Sequence, residues 1–491
     1  MKNNIIKLTL LPLLMFIASC EDILDIDVKG VYTEENYFTN EQSVVDAVTG
    51  LYGILITEDF VAHSDYTWDI SSDDVYRAGD HSEDEAIETF TFDASNPQIN
   101  QGWKWKYEMV SRSNNILLNV SKMENISNEI KNRSLGEAHF FRAFANWWLY
   151  LPYGEFPLIM EEDVLSANYN KPKSSIEDVL AHIETDLKVA LQLLPETSTA
   201  SRVNKGSALA YLTQLYMHWS SYPGNDDKLD LAIENGEKVI QNNNYRLSVN
   251  FQDNFRQRNT SLPEMLLYVS SSNDWRNSAT IYYFSPRQLG GWNFFHPMKS
   301  LFDEFGTDKR REATLWADGD QIDMGNSTII YDETTSETGY HFNKYTTFTS
   351  DGKLNFDLLI PLMRSSDVYL LVAEAKIRKY GVGGGDTEIN LVRERAGADP
   401  LVNASKDDLI KERRLELAGE NRRYFDLIRW DRLGWVNIVE LLNHPDAVYH
   451  TDQNRINFSA PKNYFFPLPQ VEIDKSNGVL IQNENYSIKT E

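Results

Sequence analysis

Apolar residues recur at i, i+3, i+4 and i+7 through much of the chain, the spacing that gives a helix one face to pack against another. Leu135–Tyr150 sets Ala138, Phe141, Ala145 and Trp148 along one side and meets a stop at Pro152-Tyr153-Gly154. A second helix is predicted after Ser174-Ser175, with Glu177 and Asp178 in its first turn, running to Leu194 before Pro195. Gly206–Trp219 and Leu229–Gln241 form a further pair, and Arg364–Arg378 with Glu388–Arg395 another. Small residues, Ala145, Ala208, Ala210 and Ala232, stand where a neighbouring helix must come close. Helix pairs of this kind follow the logic of tetratricopeptide-like repeats. The run Gly381-Val382-Gly383-Gly384-Gly385 follows a helix rather than a strand and lacks a Gly-Lys-Ser/Thr ending, so it reads as a flexible linker and not as a phosphate loop. Between Asn243 and Asn355 the helical pattern gives way to Ser, Asn, Asp and Gly with scattered aromatics and short strand-like pieces such as Met265–Ser270. A long irregular insertion in a helical scaffold is where function usually sits.

At the N-terminus Lys2 and Lys7 precede the apolar stretch Leu8–Ile17, which contains Pro12 and is too short to cross ~30 Å of hydrocarbon. It reads as a signal peptide over residues 1–19. Cys20, the single cysteine, follows Ala18 and Ser19, as in a bacterial lipoprotein processing site where the thiol is acylated; an ordinary secretory signal with a chance cysteine is the alternative. Glu21, Asp22, Asp25 and Asp27 come next, either a tag for the outer face of the membrane or a solvated tether. No later stretch approaches 18 uncharged apolar residues. The 491 residues exceed the roughly 250–300 that one core usually serves. Acidic residues number 73 against 47 basic, a net charge of −26, which repels nucleic acid and anionic lipid and makes nucleic-acid binding an unpromising function. With one cysteine there is no internal disulfide, and 11 Trp, 25 Tyr and 23 Phe supply the packing.

Glu412–Trp430, reading ERRLELAGENRRYFDLIRW, resembles the C-terminal signature of the SusD/RagB family of outer-membrane nutrient-binding lipoproteins. Asn463–Pro469 with Glu472-Ile473-Asp474 and Gln482-Asn483 resembles the family's closing segment, although Asn477–Leu480 and Asn483–Tyr486 lack its usual prolines or glycine. Trp103–Tyr107 with Arg112-Ser113-Asn114, Glu137–Ala143, Tyr153–Leu158, Asp308–Arg311, Asp367–Ala375 and Val392–Gly397 resemble further landmarks in order along the chain. The resemblance implies a mostly α fold, about four tetratricopeptide-like helix pairs and an irregular, loop-rich ligand-binding half. On this view residues 20–491 form one SusD-like domain: a helical scaffold over about 37–245 and 360–440, a ligand-binding insertion over about 246–359, and a C-terminal segment, 441–491. It also implies an exterior-facing outer-membrane lipoprotein that passes an oligosaccharide, or in some members a peptide, to a SusC-like TonB-dependent barrel. The identity of the ligand does not travel with the fold.

Within the signature, Arg422 and Asp426 are spaced to pair along one helix face, as are Asp426 and Arg429, which favours a structural over a ligand-binding role. A carbohydrate site needs flat aromatic faces and planar polar groups. Candidates outside the helix pairs are Trp68, Tyr76, Trp103, Trp105, Trp275, Tyr282, Tyr283, Trp292, Phe294 and Phe295, with Asp69, Asp73, Asp74, Arg77 and Asn100 as polar companions. Trp103, Asp73, Arg77, Asn100, Trp275 and Trp292 are the expected ligand contacts, Trp103 foremost because it stands at the family's helix-entry tryptophan. No catalytic role, cofactor or metal is expected. There is no His-Glu-x-x-His, and the nine histidines, His139 and His218 among them, are dispersed; Gly-x-Ser-x-Gly is absent too. Asp318-Gly319-Asp320 with Asp323 departs from the EF-hand spacing, leaving a solvated acidic turn or a calcium loop. With 73 acids, a glycosidase carboxylate pair is not excluded by counting.

Overall fold

Helices start where a capping side chain meets an apolar stripe. In the computed structural model of the protein, which describes residues 37–57, 60, 68–197, 202–256, 262–271, 279–443 and 456–486, Asn40 caps α1 (Glu41–Ile54) by accepting from the Ser43 N–H, and Val44, Val48, Leu51 and Ile54 form its buried face. Cys20 and Trp275 lie outside the described residues. Pro97 opens α3 (Pro97–Val120) behind the Asn96 cap, after the short α2 (Ser82–Thr89). Ser127, Ser175 and Asn204 cap α4 (Asn128–Tyr153), α5 (Ile176–Leu193) and α6 (Lys205–Trp219), and α7 (Lys228–Ile240) follows.

These helices pack in the expected pairs: α4 on α5, α6 on α7, and α9 (Ser365–Tyr380) on α10 (Asp386–Ala396), with α3 against α4 and α7 against α9. Ala145, Ala208, Ala210 and Ala232 are fully buried. At the α7–α9 contact a Cβ on Gly236 would stand 2.2 Å from the Val372 side chain, so the helices meet at a distance only glycine permits. α4 is longer than its pattern suggests, beginning at residue 128 and running through Pro152 to Tyr153, because a proline in the last turn removes only one helical hydrogen bond. The glycine run between α9 and α10 is a packed turn and not a flexible linker: a Cβ on Gly385 would lie 2.7 Å from the Ala373 carbonyl oxygen, and the Gly383 N–H donates to Ala404 O at 3.0 Å.

The insertion is more ordered than its composition suggests. Among the described residues, four two-stranded antiparallel sheets involve it. β2 (Met265–Ser270) pairs with β4 (Leu359–Arg364), and Leu315–Trp316 pairs with His341–Phe342. β1 (Val75–Arg77) pairs with β3 (Phe295–Pro297), so the acidic loop of the N-terminal half is stitched to the insertion. Asp320, from the acidic turn, accepts from the Ala317 N–H at 2.8 Å and pairs with Arg311.

α11 (Lys406–Leu417) and α12 (Arg423–Arg432) carry the charged signature into the interior. Arg364 meets Glu264 at 2.5 Å and Glu416 at 2.8 Å; Arg310 meets Glu412 at 2.7 Å; Arg429 meets Glu374 at 2.6 Å. Arg422 does not pair with Asp426. It stands at the N-cap of α12 and reaches Asp367 at 3.0 Å, while Asp426 takes Arg413 at 2.8 Å and Arg429 at 2.7 Å. Burial alone would raise the Glu416 carboxyl, but Arg395, Arg364 and Arg310 outweigh it and hold the group well below the usual carboxylate range.

Candidate functional site

α8 (Ala279–Phe284) and β3 are joined by a loop that folds back on the helix. The Trp292 N–H donates to Tyr282 O at 2.6 Å, Asn293 to Ser285 O at 3.1 Å and Phe294 to Tyr283 O at 3.0 Å. Gly291 makes this possible, since a Cβ there would sit 2.0 Å from the Ser285 oxygen. The fold-back stacks Tyr282 on Trp292, centroids 5.0 Å apart and planes 19° from parallel, with the Phe356 ring 4.7 Å from that of Tyr282. Tyr283 meets Trp292 edge-on at 5.3 Å. All four rings are half-buried, in contrast with the fully packed aromatics of the core. Such a row offers flat apolar faces beside water, with Asn355 and Asp357 flanking Phe356 in sequence.

β1 supports the row from behind. Arg77 lies over the Phe294 ring at 4.2 Å, and Asp84 of α2 fixes it through a two-pronged contact at 2.8 and 2.9 Å. Gly79, at φ +96°, lets the chain after β1 come within reach of Phe294, to which a Cβ would lie 3.0 Å away. Arg77 is therefore committed to Asp84 and to a ring, and its reach to a ligand runs through Phe294.

The other expected contacts fall elsewhere. Trp103 is 5% exposed in α3, its ring 4.8 Å from Tyr107 and edge-on to Tyr153 at 5.0 Å. It forms part of the wall of a recess of about 490 Å³, with Tyr107, Pro157, Ile159 and Leu480, which shares no lining residue with the Tyr282–Trp292 row. Asn100 is half-buried in the first turns of α3. Asp73 is buried: Arg423 holds both its oxygens at 2.7 and 2.8 Å and Arg414 approaches at 3.4 Å, together keeping its carboxyl low against the opposing effect of burial. Asp69 accepts from the Asn421 N–H at 3.1 Å, Asp74 takes Arg414 at 2.6 Å, and Trp68 packs among Tyr424, Phe425 and Phe466. The acidic loop expected to face a sugar thus plugs into the arginines of the signature. Trp275 precedes α8 by four residues and lies outside the described residues. Phe356 is not among the sequence candidates; its one signal is a large ring between the polar residues Asn355 and Asp357.

Comparison with known proteins matches residues 26–217 to a family described as "Starch-binding associating with outer membrane" and residues 263–486 to the "SusD family". A SusD-like protein of Bacteroides ovatus is 26% identical over 471 aligned residues, covering 89% of this chain and 84% of the relative. The starch-binding protein SusD of Bacteroides thetaiotaomicron is 24% identical, covering 72% and 73%. Among solved structures, surface glycan-binding protein A of Bacteroides thetaiotaomicron in complex with laminarihexaose superposes with a TM-score of 0.74 at 22% identity, covering 91% of this chain and all of that one.

Proposed function

The chain belongs to the SusD/RagB family, and from that premise we propose that it is a surface-exposed outer-membrane lipoprotein, anchored through Cys20, that binds an oligosaccharide or polysaccharide uncut and delivers it to a SusC-like TonB-dependent barrel. The observation that carries the glycan reading is the half-exposed row of Tyr282, Trp292 and Phe356. Pyranose rings present C–H faces that lie well on stacked aromatics, and hydroxyl groups that planar amides and carboxylates bind. Relatives whose names record starch or glycan binding support the same reading. Of the expected contacts, Trp292 touches the ligand, Arg77 acts through Phe294, and Trp275 stays a candidate from its nearness to α8 in sequence. The cargo is a neutral glycan: Arg77 is neutralised by Asp84, and a net charge of −26 repels polyanions at a distance.

Isothermal titration calorimetry of the soluble chain, begun after Cys20, against laminarihexaose, maltohexaose, an acidic oligosaccharide and short peptides tests this. Saturable heat with a neutral glycan, recovered intact, is expected. Heat from peptides alone, or a shortened glycan, would overturn it.

A further inference from the structure

Trp292 and Phe294 are separated by Asn293, which stands in the left-handed region at φ +66°. Its side-chain oxygen is met by Nε2 of His341. An amide oxygen only accepts, so His341 carries its proton on Nε2, leaving Nδ1 to accept from the Tyr331 hydroxyl at 2.9 Å. The ring of His296 packs on His341 at 4.7 Å and accepts from the Glu337 N–H at 3.2 Å. Both histidines are fully buried, one on β3 and one on the His341–Phe342 strand. One polar ring, His341, therefore holds the single residue that joins the two aromatics, with a second, His296, packed against it from a separate sheet. Nothing in the packing of an apolar core calls for them, since a buried imidazole costs desolvation that only its hydrogen bonds offset.

We propose that His341 is a positioning residue for the aromatic row: by fixing Asn293 in its left-handed turn it sets Trp292 flat against Tyr282 and leaves its outer face presented to ligand. The proposal rests on the glycan reading for its purpose, but the geometry it asserts is measurable without any ligand.

The test labels the chain with 5-fluorotryptophan and assigns the Trp292 resonance by its loss in Trp292→Phe. Asn293→Gly keeps the left-handed turn open while deleting the anchored side chain. His341→Phe keeps a ring without hydrogen bonds, and His341→Gln keeps a donor at the Nε2 position and an acceptor near Nδ1. In Asn293→Gly and His341→Phe the Trp292 signal shifts and broadens while the remaining tryptophan signals stay in place, and affinity for the best glycan of the calorimetric panel falls at least tenfold. His341→Gln restores both. An unmoved Trp292 signal in Asn293→Gly, or a His341→Gln that behaves as His341→Phe does, would overturn the proposal. Should His341→Phe fail to fold, Asn293→Gly and His341→Gln decide it. Absence of glycan binding by the unmodified chain would sink the functional reading alone, since the fluorine signals would still report on the anchor.

Discussion

Two tryptophans of this chain look alike in the sequence and sit in different surroundings. Trp103 has 5% of its surface exposed and is wedged between Tyr107 and Tyr153, whereas Trp292 is half-buried, stacked on Tyr282 and met edge-on by Tyr283. Trp103→Ala therefore opens a cavity and is expected to lower stability by about 3–5 kcal/mol. Trp292→Ala is expected to weaken glycan binding by about 1–3 kcal/mol while leaving the urea midpoint nearly unchanged. Denaturation and calorimetry on both variants check this, and a Trp103→Ala protein of normal stability with lost affinity would reverse the assignment. Composition alone could not separate them, because whether a ring is covered on one face or two depends on partners far away in the chain.

Helices were the legible elements. Ser175 announced α5, and the apolar stripe alone announced α6, each to within two residues, because a cap and a stripe are both local. The β1–β3 pairing was not legible: two three-residue strands joined across more than two hundred residues leave no local period to read. The support of the aromatic row by Arg77 and the burial of Asp73 were hidden for the same reason. The glycine run between α9 and α10 was misread, since a glycine chosen for space looks in sequence like one chosen for freedom. Gly385→Ala tests that distinction. With the Ala373 oxygen 2.7 Å from the new Cβ, the turn must shift, and a loss of about 1–3 kcal/mol is expected. A midpoint that stays put, or rises as it would for a flexible linker, would contradict the packed turn.

Across the whole molecule, acid acts first on histidines. Burial lowers the affinity of His218, His296 and His341 for a proton, His296 to about 3, and His182 shifts the same way. A group depressed in the folded state stabilises it above the unfolded value and loses that contribution as pH falls, here from about 6.5 downward, by as much as ~1.4 kcal/mol per pH unit for each histidine. The buried carboxylates of Asp426, Glu416 and Asp186 are depressed too, Asp426 to about 2, so their loss begins only below about pH 4, while burial raises Asp74. The urea midpoint is therefore expected to be level above pH 7 and to fall between pH 6.5 and 4.5; a flat profile over that window would refute it. The ion pairs at the centre have another consequence, in time and not in energy. Asp73 and Arg423 stand 350 residues apart, and Arg364 and Arg310 wait for glutamates of α11. A chain emerging from the ribosome holds acids and arginines whose partners do not yet exist, and an unpaired charge resists burial. These ion pairs can therefore close only once the last fifth of the polypeptide has been made.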